Sequence, residues 1–219
     1  MTPLEELALL LRPAGGGIYL VSTGRDAQLA LQRRLYGVES EAEVQERFLA
    51  NLRRIPEARA FLLGVPSDAG ASVQRGANMG PQAIRTRLLD DDPAFPARAE
   101  QRGLVDLGDV FVVPQLLHDG MLSEAQLTAS RRALYPALAP EIAASLPVSP
   151  LSIAERALDL IFQQNPGIAP LVLGGDHSTA YPAVAALSRV RQDFGIVQPD
   201  AHTDLLEERM GIRLCFATW

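Results

Sequence analysis

Cysteine is almost absent from this 219-residue sequence, in which Cys215 stands alone and excludes a disulfide framework. No apolar run approaches the roughly 20 residues that a membrane-spanning helix requires. The first apolar run covers only residues 7–11 and follows Glu5 and Glu6, where a secretory signal would be basic. We therefore expect a cytoplasmic protein with no membrane partner.

Clustered positive charge is also missing. The sequence has 26 acidic and 20 basic residues, which gives a net charge of −6, and its arginines are scattered. Binding to nucleic acid independently of sequence depends on clustered Lys and Arg, so we expect no nucleic-acid partner. Hydrophobic residues make up 47% of the chain, which is ordinary for a globular domain that buries one core.

The sequence pattern divides the chain into two regions. Residues 1–57 predict an N-terminal αβ extension, with a short strand at 18–23 and a helix that begins at a Ser40–Glu43 capping box. Residues 58–219 alternate between buried strands and helices. The strands are predicted at 60–65, 103–108, 170–173 and 194–197. The helices are predicted at 82–89, from a Ser123–Gln126 capping box, from a Ser152–Glu155 capping box, and at 179–191.

The last two strands and the helix between them form a predicted βαβ unit, whose strands run parallel. Continuous apolar runs such as residues 170–173 are typical of strands that are buried in a parallel sheet. We therefore expect an α/β protein with three αβα layers and a mainly parallel sheet.

Two polar motifs follow the last two predicted strands. They are GGDHS at 174–178 and DAHTD at 200–204. Open α/β sheets bind their ligands beyond the carboxyl ends of the strands, where both motifs would lie. Either motif alone would also fit a capped loop with solvated charges. Together they favour a functional site.

Four side chains in these motifs are candidate metal ligands. Alternate residues of an extended segment point the same way, so Asp200, His202 and Asp204 are expected to converge, with His177 approaching from the adjacent strand. Imidazole together with several carboxylates suits a divalent ion such as manganese. Two such ions sharing a water would supply hydroxide at neutral pH.

Other polar residues favour structural roles. Arg85 is expected to be an ion-pair partner, Asp106 and Asp109 to cap turns, and His118 to be a solvated loop histidine. Asp176 is expected to accept backbone N–H bonds rather than to bind metal.

The motifs resemble those of a known family. GGDHS and DAHTD are similar to the first two metal motifs of the ureohydrolases, the arginase and agmatinase family. Upstream, LGVPSDAGASVQRGANMGPQAIR (63–85) is similar to the family's N-terminal signature, and VDLGDV (105–110) matches its next strand. The resemblance covers residues 60–206. It implies an arginase-like fold over residues 58–219, a small guanidino or amidine substrate, release of urea, and a homo-oligomer when complete.

The resemblance also implies roles for single residues. His177 would bind one manganese ion and His202 the other, while Asp200 would bridge both. Asp204 would bind the first ion and act as the catalytic residue by hydrogen-bonding the bridging hydroxide. That hydroxide would attack the guanidinium carbon.

The third metal motif of the family, Ser-x-Asp-x-Asp-x-x-Asp-Pro, lies downstream of DAHTD and does not occur before Trp219. We therefore expect a C-terminal part of the fold to be missing, and the chain alone to expose apolar surface and release no urea. The alternative interpretation is a non-catalytic truncated remnant or an interaction subunit of the same fold. A deacetylase of related fold is a third possibility, which differently spaced metal motifs disfavour.

Overall fold

The computed structural model describes residues 1–71 and 73–218. Ser72, inside the 63–85 signature, and Trp219, the last residue of the predicted 58–219 region, lie outside the described residues. The strands are β1 (Leu11–Arg12), β2 (Ala60–Val65), β3 (Leu104–Val110) and β4 (Ala169–Gly174). The helices are α1 (Pro3–Leu10), α2 (Thr23–Tyr36), α3 (Glu41–Arg53), α4 (Gly80–Asp91), α5 (Phe95–Gln101), α6 (Glu124–Leu134), α7 (Pro140–Ala143), α8 (Pro150–Gln164) and α9 (Ala180–Val190).

The strands form one mainly parallel sheet in the order β1-β3-β2-β4. β2 pairs in parallel with β3 and β4, and the short β1 pairs antiparallel with β3. The predicted parallel sheet is confirmed. Because the strands run parallel, their carboxyl ends lie at one edge of the sheet, where β4 delivers the GGDHS motif.

Helices cover both faces of this sheet. The ring of Phe61 on β2 packs edge-on against Phe162 of α8, with 6.2 Å between ring centroids. Gly64 lies three positions along the same strand and faces Arg85 of α4, whose Nη1 would lie 3.0 Å from a Cβ at this glycine. Residues an odd number of positions apart point to opposite faces of a strand. α8 and α4 therefore lie on opposite faces, which confirms the three-layer αβα arrangement.

A buried ion-pair network ties α4 to β3. Nε of Arg85 lies 2.8 Å from Asp106 and its Nη1 lies 2.5 Å from Asp109, which also accepts a hydrogen bond from the Gly15 amide. The register between β2 and β3 shifts just before Asp109, and Gly108 has a positive φ of 76°. This irregularity turns both carboxylates toward the same face. The prediction for Arg85 is confirmed. Asp106 binds its guanidinium and also caps a turn, as predicted, because it accepts a hydrogen bond from the Gly108 amide at 2.9 Å. Asp109 binds the guanidinium and the Gly15 amide instead of capping a turn.

The N-terminal helices share the core of the α/β region. Leu7 of α1 and Phe48 of α3 are fully buried in the same hydrophobic cluster as the strands. Glu6 and Arg156 of α8 form an ion pair at 2.5 Å. The division of the chain at residue 57 stays a prediction. None of the described helices combines the length and apolar character needed to cross a membrane.

The capping boxes at Ser40 and Ser123 are confirmed, since each serine accepts a hydrogen bond from the amide three residues later. The box predicted at Ser152 is wrong because α8 begins earlier. Pro150 occupies its first turn, where its fixed φ suits a helix, and the Ser152 hydroxyl accepts a bond from the Asp119 amide.

Two predicted strands are absent from the described residues. Residues 18–22 are irregular, with a bend at 18 and a turn at 22, and α2 begins at Thr23, so the strand of the extension is β1 rather than 18–23. Residues 194–197 also form no strand, and Val197 is 92% exposed. No described layer covers that position, so a strand there would gain little apolar burial. β4 is therefore an edge strand, and the predicted βαβ unit lacks its second strand.

Candidate metal centre

The GGDHS turn holds His177 in place through backbone contacts. The Asp176 amide donates to the carbonyl of Ser67 at 3.0 Å, and a Cβ at Gly175 would collide with that carbonyl. Asp176 also accepts a hydrogen bond from the Ser178 amide at 2.8 Å. The Asp176 side chain thus caps the short helical turn that carries His177, as predicted. Only glycine permits the approach of the two backbones.

Three of the four predicted ligands converge. His177 Nδ1 lies 2.6 Å from Oδ2 of Asp204 and 3.5 Å from Oδ2 of Asp200. One ligand atom from each of the three residues lies within 4.8 Å of the others. The Asp204 side chain is only 9% exposed, whereas His177 and Asp200 are more open. The cluster therefore has a buried carboxylate at its base and a solvent-accessible rim.

The DAHTD segment reaches this cluster as a loop and not as an extended strand. Asp200 Oδ1 accepts a hydrogen bond from the His202 amide at 2.9 Å, and Asp204 has a left-handed backbone with φ of 50°. The loop turns back on itself, which brings Asp200 and Asp204 together. Asp200 and Asp204 converge as predicted, but the predicted reason is wrong. Residues 200–204 are not extended, so the alternation of side chains along a strand does not bring them together.

His202 stands outside the converging group. Its side chain is 81% exposed, and its Nδ1 lies 3.5 Å from Oδ1 of Asp200. Asp200 thus offers one oxygen toward His177 and the other toward His202. Its role as a shared ligand of two ions stays a prediction.

The local hydrogen bonds favour a charged Asp200. The N–H of His202 donates to this carboxylate and holds its pKa below the ordinary value, with a further contribution from the nearby His177. Asp200 is therefore an ionised acceptor at neutral pH, as a metal ligand must be.

The donor set fits one hard or borderline divalent cation. Ligand atoms bind such ions at about 2.2 Å, so donors on opposite sides of an ion lie about 4.4 Å apart. One imidazole nitrogen and two carboxylate oxygens within 4.8 Å match that span. The donors are an imidazole and two carboxylates, a set that suits several hard or borderline divalent ions. Three protein donors leave further coordination positions open.

An apolar cavity of about 660 Å³ adjoins the cluster, and the sequence did not predict it. Its lining includes Tyr181, Val184, Ile196, Asp200, His202 and Leu205. Tyr181 could have been found from its place in the first turn after GGDHS. His118 packs edge-on against Tyr181, with 6.2 Å between centroids, and accepts a hydrogen bond from the Gly120 amide, in keeping with a loop histidine.

Comparison with known proteins shows which family this chain resembles. The model of the arginase family matches residues 58–219. The human mitochondrial guanidino acid hydrolase is 31% identical over 159 residues, which are 71% of this chain and 36% of that protein. The guanidinobutyrase of Pseudomonas aeruginosa is 26% identical over 213 residues, which are 95% of this chain and 52% of that protein.

The fold has a counterpart among solved structures. A crystal structure of a candidate agmatinase from Clostridium difficile aligns with a TM-score of 0.50 at 21% identity, covering 73% of this chain and 48% of that one. This likeness concerns the fold alone. The chain spans about a third to a half of the length of the curated relatives described above.

Proposed function

Because the chain belongs to the arginase family, we propose that it carries part of the active site of a manganese-dependent hydrolase that cleaves a guanidino C–N bond. The observation that carries this proposal is the convergence of His177 Nδ1 with carboxylate oxygens of Asp200 and Asp204. It lies at the end of β4, at the sheet edge where α/β enzymes place their ligands.

In this proposal, His177, Asp200 and Asp204 hold one ion, and Asp200 with His202 contributes to a second. A bound divalent ion supplies the positive charge that lowers the pKa of water toward neutrality. Asp204 is the residue that accepts a proton from the attacking water, because its carboxylate is the most enclosed of the group. The proton then passes to the leaving amine, so that addition of water and C–N cleavage yield urea and an amine.

A guanidino acid is the substrate class that the relatives favour. Two of them bear the names guanidino acid hydrolase and guanidinobutyrase. The cavity beside Asp200 supports this proposal, because Val184, Ile196 and Leu205 can pack against a methylene chain while the planar guanidinium faces the carboxylates.

Titration with Mn²⁺, followed by the loss of the free-ion signal in electron paramagnetic resonance, tests the proposed metal site. We expect tight binding of at least one ion per chain. His177→Ala and Asp204→Asn should weaken it strongly, because the first removes one of three convergent donors and the second removes the negative charge of another. Asp193→Asn is the control, since it removes an exposed carboxylate outside the group. Equal binding by Asp204→Asn and the unchanged chain would contradict the proposal.

Urea release tests the proposed reaction and separates it from a non-catalytic role. The described residues bring three ligand atoms together, fewer than two ions need, so we expect no urea from the chain alone. We propose co-expression with the part of the Pseudomonas aeruginosa guanidinobutyrase beyond the matched segment. The co-purified pair, with Mn²⁺, should release urea from 4-guanidinobutanoate. The opposite result is a co-purified pair, loaded with Mn²⁺, that cleaves none of 4-guanidinobutanoate, agmatine and arginine. That result would contradict the hydrolase proposal and favour the alternative that the chain is a non-catalytic interaction subunit.

We also propose a cytoplasmic location, an N-terminal extension and a homo-oligomeric state for the complete protein. The single Cys215 is compatible with a reducing cytoplasm. We keep residues 1–57 as a proposed extension, because the family model begins to match at residue 58. Assembly into a homo-oligomer when complete is likewise a proposal.

A further inference from the structure

A second cavity lies away from the metal cluster, between the N-terminal extension and the sheet. Its volume is about 360 Å³, and among the described residues none of those lining it belongs to 174–204. Its floor includes Leu104 and Val105, the first two residues of β3. The metal cluster lies beyond the opposite, carboxyl end of the parallel strands. The two sites are therefore distinct.

Three arginines line this cavity. Arg34 lies in the last turn of α2, Arg47 lies on α3, and Arg54 is the residue that follows the last residue of α3. Arg34 pairs with Asp90 at 2.8 Å, and Arg54 pairs with Glu100 at 3.0 Å. Among the described residues, Arg47 has no carboxylate within ion-pair distance.

The carboxylates that line the cavity are already compensated. Glu100 is bound by Arg54, and Asp106 is bound by Arg85 from the α4 side. Each of these carboxylates is therefore already paired with a guanidinium, which Asp106 shares with Asp109. Arg47 remains as a planar, permanently charged fork that suits a carboxylate.

The rest of the wall is apolar. Phe95 and Pro96 at the start of α5 face the cavity together with Leu104 and Leu62. A volume of about 360 Å³ lies within the usual range for small-molecule sites. We propose that this cavity binds a small organic carboxylate, with its anionic group on Arg47 and its apolar body against Phe95 and Leu104. Such a ligand would connect the extension to α5.

Saturation-transfer NMR on the unmodified chain tests this site with benzoate as the probe. We expect benzoate to bind, and Arg47→Gln to weaken binding by about tenfold or more, because charge-assisted hydrogen bonds to a guanidinium are lost. Arg47→Lys should weaken it less, since the charge is kept. Arg53→Gln is the matched control, because Arg53 is an exposed arginine on the same helix that does not line the cavity.

Further probes test whether benzoate binding depends on its charge, on its apolar ring or on the metal cluster. Benzyl alcohol, which has the same ring without the charge, should bind about tenfold more weakly than benzoate, and inorganic phosphate should compete poorly. Asp204→Asn should leave benzoate binding unchanged. No benzoate binding at about 10 mM, equal binding by Arg47→Gln, or equal binding of benzyl alcohol or phosphate would each overturn the proposal. Circular dichroism checks that Arg47→Gln remains folded, as expected for a change at an exposed residue.

Discussion

His177 and Asp204 stand 27 positions apart in the sequence, yet Nδ1 of the histidine lies 2.6 Å from Oδ2 of the aspartate. The sequence predicted a strand at 194–197 just before the DAHTD motif. In the structure, the segment between α9 and Asp204 is a loop, and this loop brings Asp204 to His177. The turn after β4 is fixed by backbone contacts, whereas the DAHTD loop is exposed on most of its length. The geometry of the cluster therefore depends strongly on the GGDHS turn.

Gly175→Ala should disturb the metal cluster without touching a ligand. The new Cβ collides with the carbonyl of Ser67, so the turn must move and carry His177 with it. We expect a loss of about 1–3 kcal/mol in unfolding free energy, as for other overpacked sites, and weaker Mn²⁺ binding in an isothermal titration. Gly195→Ala is the control, because a Cβ there meets nothing within 4 Å. Unchanged Mn²⁺ affinity in Gly175→Ala would show that the turn does not position His177.

Arg85→Met should be among the most destabilising single changes in α4. It leaves the Asp106 and Asp109 carboxylates without their cation, and Asp109 is almost fully buried. Breaking a buried ion pair in this way costs about 3–5 kcal/mol. Urea denaturation followed by circular dichroism measures the change. Arg87→Met, which removes an exposed ion pair on the same helix, should cost less than about 1 kcal/mol. Similar values for both variants would contradict the role of the buried network.

Ser40→Ala should change the acid sensitivity of α3. The hydroxyl and amide of Ser40 donate to Glu43 and hold its pKa below the ordinary value. Because the pKa is lowered in the folded state, the stabilisation is present above the ordinary pKa and is lost as pH falls through the lowered one. We expect the pKa of Glu43, measured by NMR titration of its carboxyl carbon, to rise in Ser40→Ala. Ser188→Ala on α9 should leave it unchanged, and no rise in Ser40→Ala would refute the hydrogen bond from the Ser40 hydroxyl to the Glu43 carboxylate.

Val197→Lys should reduce self-association of the chain. Val197 is 92% exposed and Leu171 on the edge strand β4 is half exposed, and exposed apolar surface of this kind promotes association. Dynamic light scattering should show a smaller mean size for the variant. Val73→Lys replaces an equally exposed valine in another loop and should have little effect. An equal reduction by both variants would mean that added charge, and not the apolar surface at Val197, controls association.

The sequence correctly predicted the strands that helices cover in the described part of the chain. Residues 60–65 form a continuous apolar run, and β2 occupies the same positions, with both faces covered by α4 and α8. Residues 194–197 have a similar composition, but a strand there would need a layer beyond β4 that the described residues do not provide. Composition alone could not distinguish the two cases.

The side-chain convergences depended on backbone details that spacing does not encode. Asp106 and Asp109 are three positions apart, so a regular strand would place them on opposite faces, and only the irregularity at Gly108 lets both reach Arg85. His177 was predicted correctly as a neighbour of Asp200, because the turn after β4 fixes it. The exposure of His202 follows from the bend of its loop, which the alternation of residues in DAHTD did not predict.

The location of a bound ion is the most direct test of the proposed centre. Crystals grown with Mn²⁺ should be measured for anomalous scattering at the manganese absorption edge. We predict a peak about 2.2 Å from Nδ1 of His177 and from carboxylate oxygens of Asp200 and Asp204. A Mn²⁺-binding chain whose anomalous peak lies elsewhere, with these three side chains left unbound, would contradict the proposal that they hold the ion.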